Sequence, residues 1–426
     1  REGRFGGESM FWANQAVSFL LNPPFAISVV IFLVGLLLFQ NYLSQKNLNL
    51  SPSTLNLTPF VIAILWGSLI QFKAYAGVLV IGALGILAVW EIILKRTFQA
   101  LKILVPTGLV SALIFLPNNF GAGNLLVYSP FWFIHTMVEY QDRFFWLRLA
   151  NARGAYLQMG WWDRLILAEI LGLTIFLVGN LGTRILVLGQ IFNWIKNKLK
   201  VQPFTLFLVG FSAIAVILPL IFIQRGTAWN TIQFFYYFQV IAAIFAGIFF
   251  WQAISKLSRL IQAGLIAILV LLTIPTTLGT FSHYLPARPP ARLPVGEFEA
   301  LEFLRKLPDG VVLTRAFDET LREKFDLPLP LFAYQTSAYV SAFSGKSVYV
   351  EDEINLEIIG VPYRSRVIGA KEFFRTRDEK FAAEFLRKNN IKYIYVTKFE
   401  KFEPNERILE IKKIFENDEV KIYQVL

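Results

Sequence analysis

The sequence predicts a polytopic α-helical membrane protein that carries an α/β domain at its C-terminal end. About eight apolar stretches follow one another between Phe25 and Phe281, and a membrane helix needs about 20 such residues. Charged residues make up only 17% of the chain and the mean hydropathy is +0.52, whereas an ordinary globular domain carries about 25% charged residues. Beyond Thr280 the sequence becomes polar, and short helix and strand patterns alternate as they do in α/β domains.

The apolar stretches divide the first part of the chain into predicted membrane segments. The first follows Asn22-Pro23-Pro24, and Lys73 alone separates the second from the third. A single lysine between two apolar runs indicates either a tight helical hairpin or a broken helix. The predicted segments cover residues 25–39, 59–72, 74–94, 98–116, 165–181, 204–223, 232–254 and 260–280.

The chain after these segments is predicted to form a separate domain. We place the membrane region at 1–281, a proline-rich linker at 282–295 and a soluble α/β domain at 296–426. The acidic residues Asp318, Glu319 and 351–353 are expected to be solvated, so this domain is predicted to act as a cap or binding module. Its predicted elements are helices at 296–306, 337–343 and 378–389 and strands at 311–315, 391–397 and 420–426.

The net charge of +11 indicates a membrane orientation rather than a nucleic-acid partner, because many basic residues lie in short loops between apolar segments. If Arg1 starts outside the cytoplasm and each segment crosses once, loop 118–163 and the α/β domain lie on the extracytoplasmic side of a bacterial inner membrane. This orientation requires the 59–72 segment to cross fully. The basic residues of the inside loops are then Lys46, Lys95, Arg96, Arg184, Lys196, Lys198, Lys200, Lys256 and Arg259.

The residue inventory excludes several kinds of site. The chain has no cysteine and therefore neither a disulfide framework nor a thiolate metal site. Its two histidines, His135 and His283, exclude a multi-histidine metal site. The chain opens at Arg1 without an initiator Met, and its first residues resemble the middle of a loop. We therefore expect further residues upstream, including further membrane helices.

Aromatic residues concentrate near the predicted membrane boundaries. The segment YSPFWFIHTMVEYQDRFFWLRLANARG has the composition of an amphipathic helix that lies on a membrane surface. A substrate-binding segment is the alternative interpretation.

Two polar motifs at the predicted outer boundary are candidate anion sites. In GSLIQFKAYAG, Lys73 is suited to bind a phosphate as a point charge, or else it extends to lipid headgroups. In IQRGTAWNTIQFFYY, Arg225 ends one apolar segment and polar residues open the next. An arginine beside a helix N-terminus is suited to anion binding, although a capped tight turn accounts for the same residues.

Acidic residues of the outer loops are candidate catalytic groups. Glycosyl or phosphoryl transfer needs a carboxylate as general base or as a ligand of a divalent ion. The candidates are Glu8, Glu139 and Asp142, with Asp163 in the same set, although single loop carboxylates are usually just solvated. Glu169, inside a predicted segment, is either a functional acid or a partner for a neighbouring arginine. No metal ligands are assigned, and a divalent metal stays open as a cofactor.

With these motifs the chain resembles the GT-C superfamily of membrane glycosyltransferases, which includes protein mannosyltransferases and the aminoarabinose transferase. Asn22-Pro23-Pro24, GSLIQFKAYAG and QRGTAWNTIQFFYY correspond to three short motifs of that superfamily. The C-terminal stretches KNNIKYIYV and IFENDEVKIYQVL are similar to the extracytoplasmic domain of many bacterial relatives.

The resemblance implies particular roles for residues of this chain. Lys73 and Arg225 would contact the phosphate of the lipid carrier. Asn22 stands where relatives often carry Asp, so it would be neither a base nor a strong metal ligand. The catalytic Asp of the superfamily would precede Arg1, so the chain by itself is expected to be an incomplete enzyme. The implied substrate-binding residues are Tyr75, Trp229, Asn230 and Gln233.

The function implied is inverting transfer of a sugar from a polyprenyl-phosphate donor to an acceptor at the outer face of the membrane. Membrane lipid is the other expected partner. The alternative is a non-catalytic polysaccharide-export or lipid-linked-sugar transport protein whose α/β domain binds glycan. A transporter is expected to show internal repeats and paired broken helices, and the sequence has one candidate break, at Lys73, and no evident repeat.

Overall fold

The computed structural model describes residues 15–47, 57–119, 126–196, 202–225, 227–285 and 289–426. These residues divide into two compact units. The first holds the described chain up to Gln224 together with Ala228–Tyr284, and the second holds Arg225, Thr227 and the described part of Leu285–Leu426.

The first unit consists almost entirely of helices. Its one described strand pair joins β1 (Leu126–Tyr128) to β2 (Phe222–Gln224) in antiparallel register, with Leu126 opposite Gln224. A short 3₁₀ helix, Ala228–Ile232, follows β2. The helices are α1 Gln15–Leu21, α2 Pro23–Asn47, α3 Thr58–Phe72, α4 Ala74–Trp90, α5 Leu101–Asn118, α6 Trp132–Glu139, α7 Leu147–Met159, α8 Trp162–Leu181, α9 Val187–Lys196, α10 Pro203–Ile221, α11 Gln233–Ile254 and α12 Arg259–Tyr284.

All the predicted apolar segments are helical, but two of them are too short to qualify as spans. Residues 58–72 and 101–117 form shorter apolar helices of 10–17 residues, and the number of crossings stays a prediction. The predicted class, a helical polytopic membrane protein with a C-terminal α/β domain, is confirmed by the remaining helices and by the strands of the second unit. Within the described ranges, the 6 helical stretches long and apolar enough to cross a membrane are Pro23–Ser44, Ala74–Lys95, Trp162–Lys196, Pro203–Ile221, Ala228–Ile254 and Arg259–Gly279.

Lys73 joins α3 to α4 in a tight hairpin. Its backbone is extended, its N–H donates to the Leu69 carbonyl at 2.8 Å, and its own carbonyl accepts the N–H of Ala76 at 3.0 Å. A Cβ added to Gly77 would lie 3.2 Å from the Cα of Ile70. Residues seven apart in a continuous helix are separated by about 10 Å along its axis, so this contact requires the chain to fold back. Of the two alternatives, the hairpin is confirmed.

Aromatic packing holds the centre of the first unit together. The Trp66 indole stacks on Phe207, with ring centroids 5.1 Å apart and an interplanar angle of 5°. Its Nε1 donates to the Phe32 carbonyl at 3.3 Å. The indole lies so close to α2 that a Cβ at Gly35 would come within 2.1 Å of it. Close packing of this kind fixes α2, α3 and α10 against one another.

The aromatic segment after β1 forms two helices, which corrects the expectation of a single amphipathic helix. Phe145 adopts a left-handed backbone (φ 52°) between α6 and α7. The α6 residues Phe133 and Met137 are fully buried, in a core shared with Phe176 and Phe235. Burial against α8 and α11 therefore places the apolar side of α6 inside the unit. The exposed aromatic and apolar side chains lie around α7, at Phe144, Trp146, Leu147, Leu157, Met159, Trp161 and Trp162.

The second unit is built on a mixed 4-stranded sheet. Its strand order is β4-β6-β8-β7, where β4 and β6 run parallel and the other neighbours run antiparallel. A short parallel pair joins β3 to β5. The elements are β3 Ala291–Arg292, α13 Val295–Arg305, β4 Val311–Leu313, α14 Glu319–Arg322, β5 Leu329–Pro330, α15 Tyr339–Ser344, α16 Glu353–Ile358, α17 Arg364–Arg375, α18 Glu379–Lys388, β6 Ile391–Thr397, β7 Ile411–Glu416 and β8 Val420–Val425.

Both faces of this sheet are covered. Alternate residues of β6 enter different cores: Ile394 packs with Phe373 and Leu386 of the helices on one face, whereas Tyr395 packs with Leu301 of α13 on the other. The Asp378 side chain accepts the backbone N–H groups of Lys380 and Phe381 at 3.0 and 3.1 Å and begins α18. The helix and strand predicted at 378–389 and 391–397 are confirmed.

Candidate functional site

The hairpin at Lys73 lies beside the end of β2. The Lys73 ammonium is 5.4 Å from the centre of the Tyr75 ring. The Tyr75 hydroxyl donates to Oε1 of Gln224 at 2.7 Å, and its ring packs edge-on against Phe234 at 4.7 Å. Lys73 and Tyr75 are both half-buried. Two segments far apart in sequence therefore place an ammonium, a phenol and an amide next to one another.

The start of α11 extends this group of polar side chains. The backbone N–H of Gln224 donates to Oγ1 of Thr231 at 2.6 Å. Gln233 Nε2 donates to Oδ1 of Asn230 at 2.7 Å, and Asn22 Nδ2 donates to Oε1 of Gln233 at 3.3 Å. Asn22 also accepts the Phe25 N–H at 3.3 Å, at the entry to α2. We call this set the polar cluster, and it consists of Asn22, Lys73, Tyr75, Gln224, Asn230, Thr231 and Gln233.

Electrostatically, the polar cluster favours an anion. Lys73 is its cation, and no carboxylate among the described residues forms an ion pair with it. The neighbouring hydrogen-bond donors are hydroxyl and amide groups. These groups are neutral, so they leave the positive charge of Lys73 unbalanced. A half-buried ammonium without a counter-ion is the kind of group that binds a phosphate or another anionic partner.

The structure places the remaining predicted binding residues differently. Trp229 is 55% exposed, and no described residue forms a hydrogen bond with its indole. Arg225 directly follows Gln224 in the chain but groups with the second unit. There its exposed side chain lines a cavity of about 270 Å³ with Tyr363 and Arg364. The meeting of Lys73 and Arg225 in one pocket therefore stays a prediction.

Two of the acidic residues noted in the sequence, Glu139 and Glu169, belong to a second group of charged side chains in the first unit. His135 Nε2 lies 2.9 Å from Glu169 Oε1, and Arg153 Nη1 lies 3.8 Å from the same oxygen. Arg153 Nη2 also contacts Glu139 Oε1 at 2.9 Å. We call these four residues the charged cluster. The arginine partner expected for Glu169 is thus confirmed, as Arg153.

The other acidic candidates are less constrained. Asp142 is exposed and lies 3.7 Å from Arg143, Asp163 is exposed in the first turn of α8, and Glu8 lies outside the described residues. Sequence reasoning missed a role for His135. Its position four residues before Glu139, on the same side of α6, was the available signal.

The described residues do not fit a metal site. Within those ranges, no group of three or more His, Asp or Glu side chains is placed to hold a metal ion. Each carboxylate of the charged cluster already contacts Arg153, a cation that would compete with a metal ion.

The chain is similar to three solved structures from Archaeoglobus fulgidus. The first is the oligosaccharyltransferase AglB in complex with an inhibitory peptide and a dolichol-phosphate. Its sequence is 15% identical and the TM-score is 0.43, and the match covers 88% of this chain and 52% of the AglB chain. The oligosaccharyltransferase tethered to an acceptor peptide is 14% identical, with a TM-score of 0.40 and coverage of 80% and 47%. The complex with Zn and sulfate is 17% identical, with a TM-score of 0.40 and coverage of 80% and 45%.

These similarities are weak, and the chain spans about half the length of the solved structures it matches. TM-scores of this size do not establish a shared fold, so the functional proposal rests on the chemistry of the site. No protein-family model matches the chain, and no curated protein matches it.

Proposed function

We propose that this chain forms part of a GT-C-type membrane glycosyltransferase that transfers a sugar from a polyprenyl-phosphate donor to an acceptor on the extracytoplasmic side. The observation that carries the proposal is the Lys73 ammonium, which forms no ion pair with any described residue and is held between two apolar helices beside Tyr75 and Gln224. A lipid phosphate brings an anionic group to the membrane boundary, where such a cation is available to bind it.

In the proposed reaction, some residues bind the phosphate and a carboxylate accepts a proton. The acceptor hydroxyl attacks the anomeric carbon, the bond from that carbon to the phosphate oxygen breaks, and its electron pair stays on the phosphate. A carboxylate takes the proton of the acceptor. Lys73 then stabilises the charge that develops on the leaving phosphate, with Tyr75 and Asn230 as neighbouring donors.

The test of this assignment is the transfer activity of the whole protein that contains this chain, reconstituted in proteoliposomes with a polyprenyl-phosphate sugar. Lys73→Met removes the charge and keeps the length of the side chain, so we expect kcat to fall by about 10²-fold or more. Lys73→Arg keeps the charge and should retain part of the activity. Lys102→Met, at an exposed lysine of α5, is the matched control and should behave like wild type. Transfer by Lys73→Met near the wild-type rate would exclude the phosphate assignment.

The same assay tests Arg225, whose proposed role is a second contact with the carrier phosphate. Arg225→Ala should reduce transfer as Lys73→Met does. A loss in the Lys73 variant alone would leave Lys73 as the phosphate ligand and exclude Arg225.

Among the described carboxylates, Glu139 is the candidate base to test first, because its Oε1 is held 2.9 Å from Arg153 Nη2. Glu139→Gln should lower kcat by about 10²-fold or more, with little change in the amount of folded protein. Asp142→Asn is the matched comparison at a neighbouring exposed carboxylate. Wild-type transfer in Glu139→Gln would remove it from the candidates and leave Glu8 and Asp142.

A further inference from the structure

The second unit contains a cavity at the carboxyl ends of its parallel strands β4 and β6. Arg315 lies just after β4, Phe399 and Lys401 lie just after β6, and all three line the cavity. Lys371 and Arg375, from the C-terminal half of α17, line it as well. Its volume of about 160 Å³ is about ten times the room that one water needs. In open α/β sheets, ligands bind at this end of the parallel strands.

Cations outnumber carboxylates in the wall of this cavity, which we call the basic cavity. Each carboxylate there has a cation of its own, because Glu400 pairs with Arg315 and Asp318 lies 3.5 Å from Nη2 of Arg375. Two lysines supply the excess positive charge, and neither ammonium forms an ion pair or a hydrogen bond with any described residue. The ionisable residues of the wall are Arg315, Asp318, Lys371, Arg375, Glu400 and Lys401.

Asp318 is half-buried in this wall rather than solvated, and it does not consume the free charge. Its Oδ1 accepts the N–H and the hydroxyl of Thr320 at 3.1 and 2.7 Å, and its Oδ2 faces Arg375. The Thr320 hydroxyl is the main cause that lowers the pKa of Asp318, and nearby Lys371 and Arg315 lower it further. Both carboxylate oxygens therefore have partners, so the ammonium of Lys371 stays available to a ligand.

A second cavity adjoins the basic cavity. It has a volume of about 300 Å³ and shares Phe374 and Lys401 with the first. Arg377 and Asn405 are among its polar lining residues, and Phe374 supplies apolar surface at the boundary between the two cavities. A molecule whose charged group occupies the basic cavity therefore has room for an organic body beside it.

The charges and the size select the class of ligand. The excess ammonium groups repel a cation, and a neutral molecule would leave Lys371 and Lys401 without a counter-ion. Within the described ranges, no group of three or more carboxylates and histidines is placed to hold a metal ion. A phosphate or carboxylate group brings the missing negative charge and accepts the N–H donors of both lysines.

We propose that the basic cavity binds the phosphate or carboxylate group of a small organic anion with the dimensions of a sugar phosphate or a sugar acid. Lys371 and Lys401 are the counter-ions of this group, and both donate N–H groups to its oxygens. The rest of the molecule passes Phe374 and lies in the adjoining cavity. The site is built from residues of the second unit alone and does not rest on the proposed sugar transfer.

The experiment measures binding to the full chain in a polyoxyethylene detergent, which contains neither sugar nor phosphate, and in a buffer free of phosphate and carboxylate. The probes are inorganic phosphate, glucose-6-phosphate, glucuronate and glucose, titrated by ligand-observed NMR. We expect glucose-6-phosphate or glucuronate to bind at least about tenfold more tightly than neutral glucose. The tighter of the two identifies the ligand as a phosphate or a carboxylate. Inorganic phosphate should bind more weakly than that sugar anion, because it does not reach the adjoining cavity.

Two double variants locate the binding. The double variant Lys371→Gln with Lys401→Gln removes both free charges and should weaken binding of the sugar anion at least about tenfold. The double variant Lys388→Gln with Lys412→Gln is the matched control, because it removes the same charge at two exposed lysines that do not line the basic cavity. The control should bind like wild type.

Four results would each overturn the proposal. These are that neither sugar anion binds more tightly than glucose, that inorganic phosphate binds as tightly as the preferred sugar anion, that the variant without Lys371 and Lys401 binds like wild type, or that the control loses as much affinity as that variant. If this variant does not fold, the comparison of charged and neutral probes on the wild-type chain still decides. Sugar transfer is not measured, so the outcome is independent of the proposed glycosyltransferase.

Discussion

Single residues of the polar cluster could be recognised in the sequence because they interrupt apolar runs. Lys73 separates two helices, Asn230 precedes the long apolar helix α11, and Gln233 is the first residue of that helix. Their partner Gln224 could not be recognised, because it lies 149 residues after Tyr75 and no local pattern connects the two. Periodicity indicates which residues sit at helix ends, whereas the pairing of those ends is decided by tertiary packing.

Glu351 shows the same limit in the second unit. A run of three acids has the composition of a solvated loop, yet burial and the N–H groups of Val340 and Ser341 define its environment. Burial is the larger effect and raises the pKa of Glu351 from 4.5 to about 7, although the two N–H groups oppose it. The folded state therefore binds a proton that the unfolded chain releases between these pH values.

This raised pKa predicts that stability falls as the pH rises. The contribution of Glu351 to the free energy of unfolding is complete below pH 4.5 and is lost as the pH rises through about 7. A pKa shift of this size corresponds to about 3 kcal/mol. Thermal unfolding of the detergent-solubilised chain between pH 5 and pH 8 is the measurement. Glu351→Gln should flatten the profile relative to wild type, whereas Glu384→Gln, at an exposed glutamate of α18, should not, and equal slopes in all three proteins would contradict the buried position of Glu351.

At the scale of elements, hydrophobic periodicity predicted helices better than their packing. The α18–β6 pair was foreseen because Asp378, the amphipathic turn and the apolar run of β6 agree with one another. β7 is not predicted from the sequence, because half of the residues of IKKIFE are exposed and the segment carries a weak strand pattern. Aromatic composition does not distinguish a buried face from a membrane-facing one, so the sequence predicts one interfacial helix where the chain forms α6 and α7.

The α3–α4 hairpin depends on a glycine at the contact between its helices. A Cβ at Gly77 would lie 2.9 Å from Cδ1 and 3.2 Å from Cα of Ile70. Because the second atom is backbone, the contact is relieved only by separating the helices. Overpacking of this kind costs about 1–3 kcal/mol.

We therefore expect Gly77→Ala to lower the melting temperature of the solubilised chain. Gly85→Ala is the matched control in the same helix, where an added Cβ meets nothing within 4 Å, and it should be neutral or slightly stabilising. Because the hairpin positions Lys73, Gly77→Ala should also reduce transfer. Equal stability of the two variants would contradict the close contact between α3 and α4.

For the whole molecule, composition predicted both kinds of structure: a long apolar region and a polar α/β region. It could not fix the number of crossings, because α3 and α5 are apolar but short. The expected orientation depends on that number, since each crossing that is lost inverts everything that follows it. Basic residues at 95–96 and 256–259 nevertheless predict two cytoplasmic loops.

The absence of natural cysteine makes this orientation directly testable. Single cysteines at Thr97, Ser258 and Lys388 place one thiol in each predicted inside loop and one on the second unit, and all three positions are exposed. In intact cells, a membrane-impermeant maleimide should label Lys388→Cys and leave Thr97→Cys and Ser258→Cys unlabelled until the membrane is permeabilised. The positive-inside distribution is the physical reason, because basic loops are retained in the cytoplasm. Labelling of Ser258→Cys from outside would reverse the assignment of the second unit, and opposite behaviour of Thr97→Cys and Ser258→Cys would show that an odd number of crossings separates them.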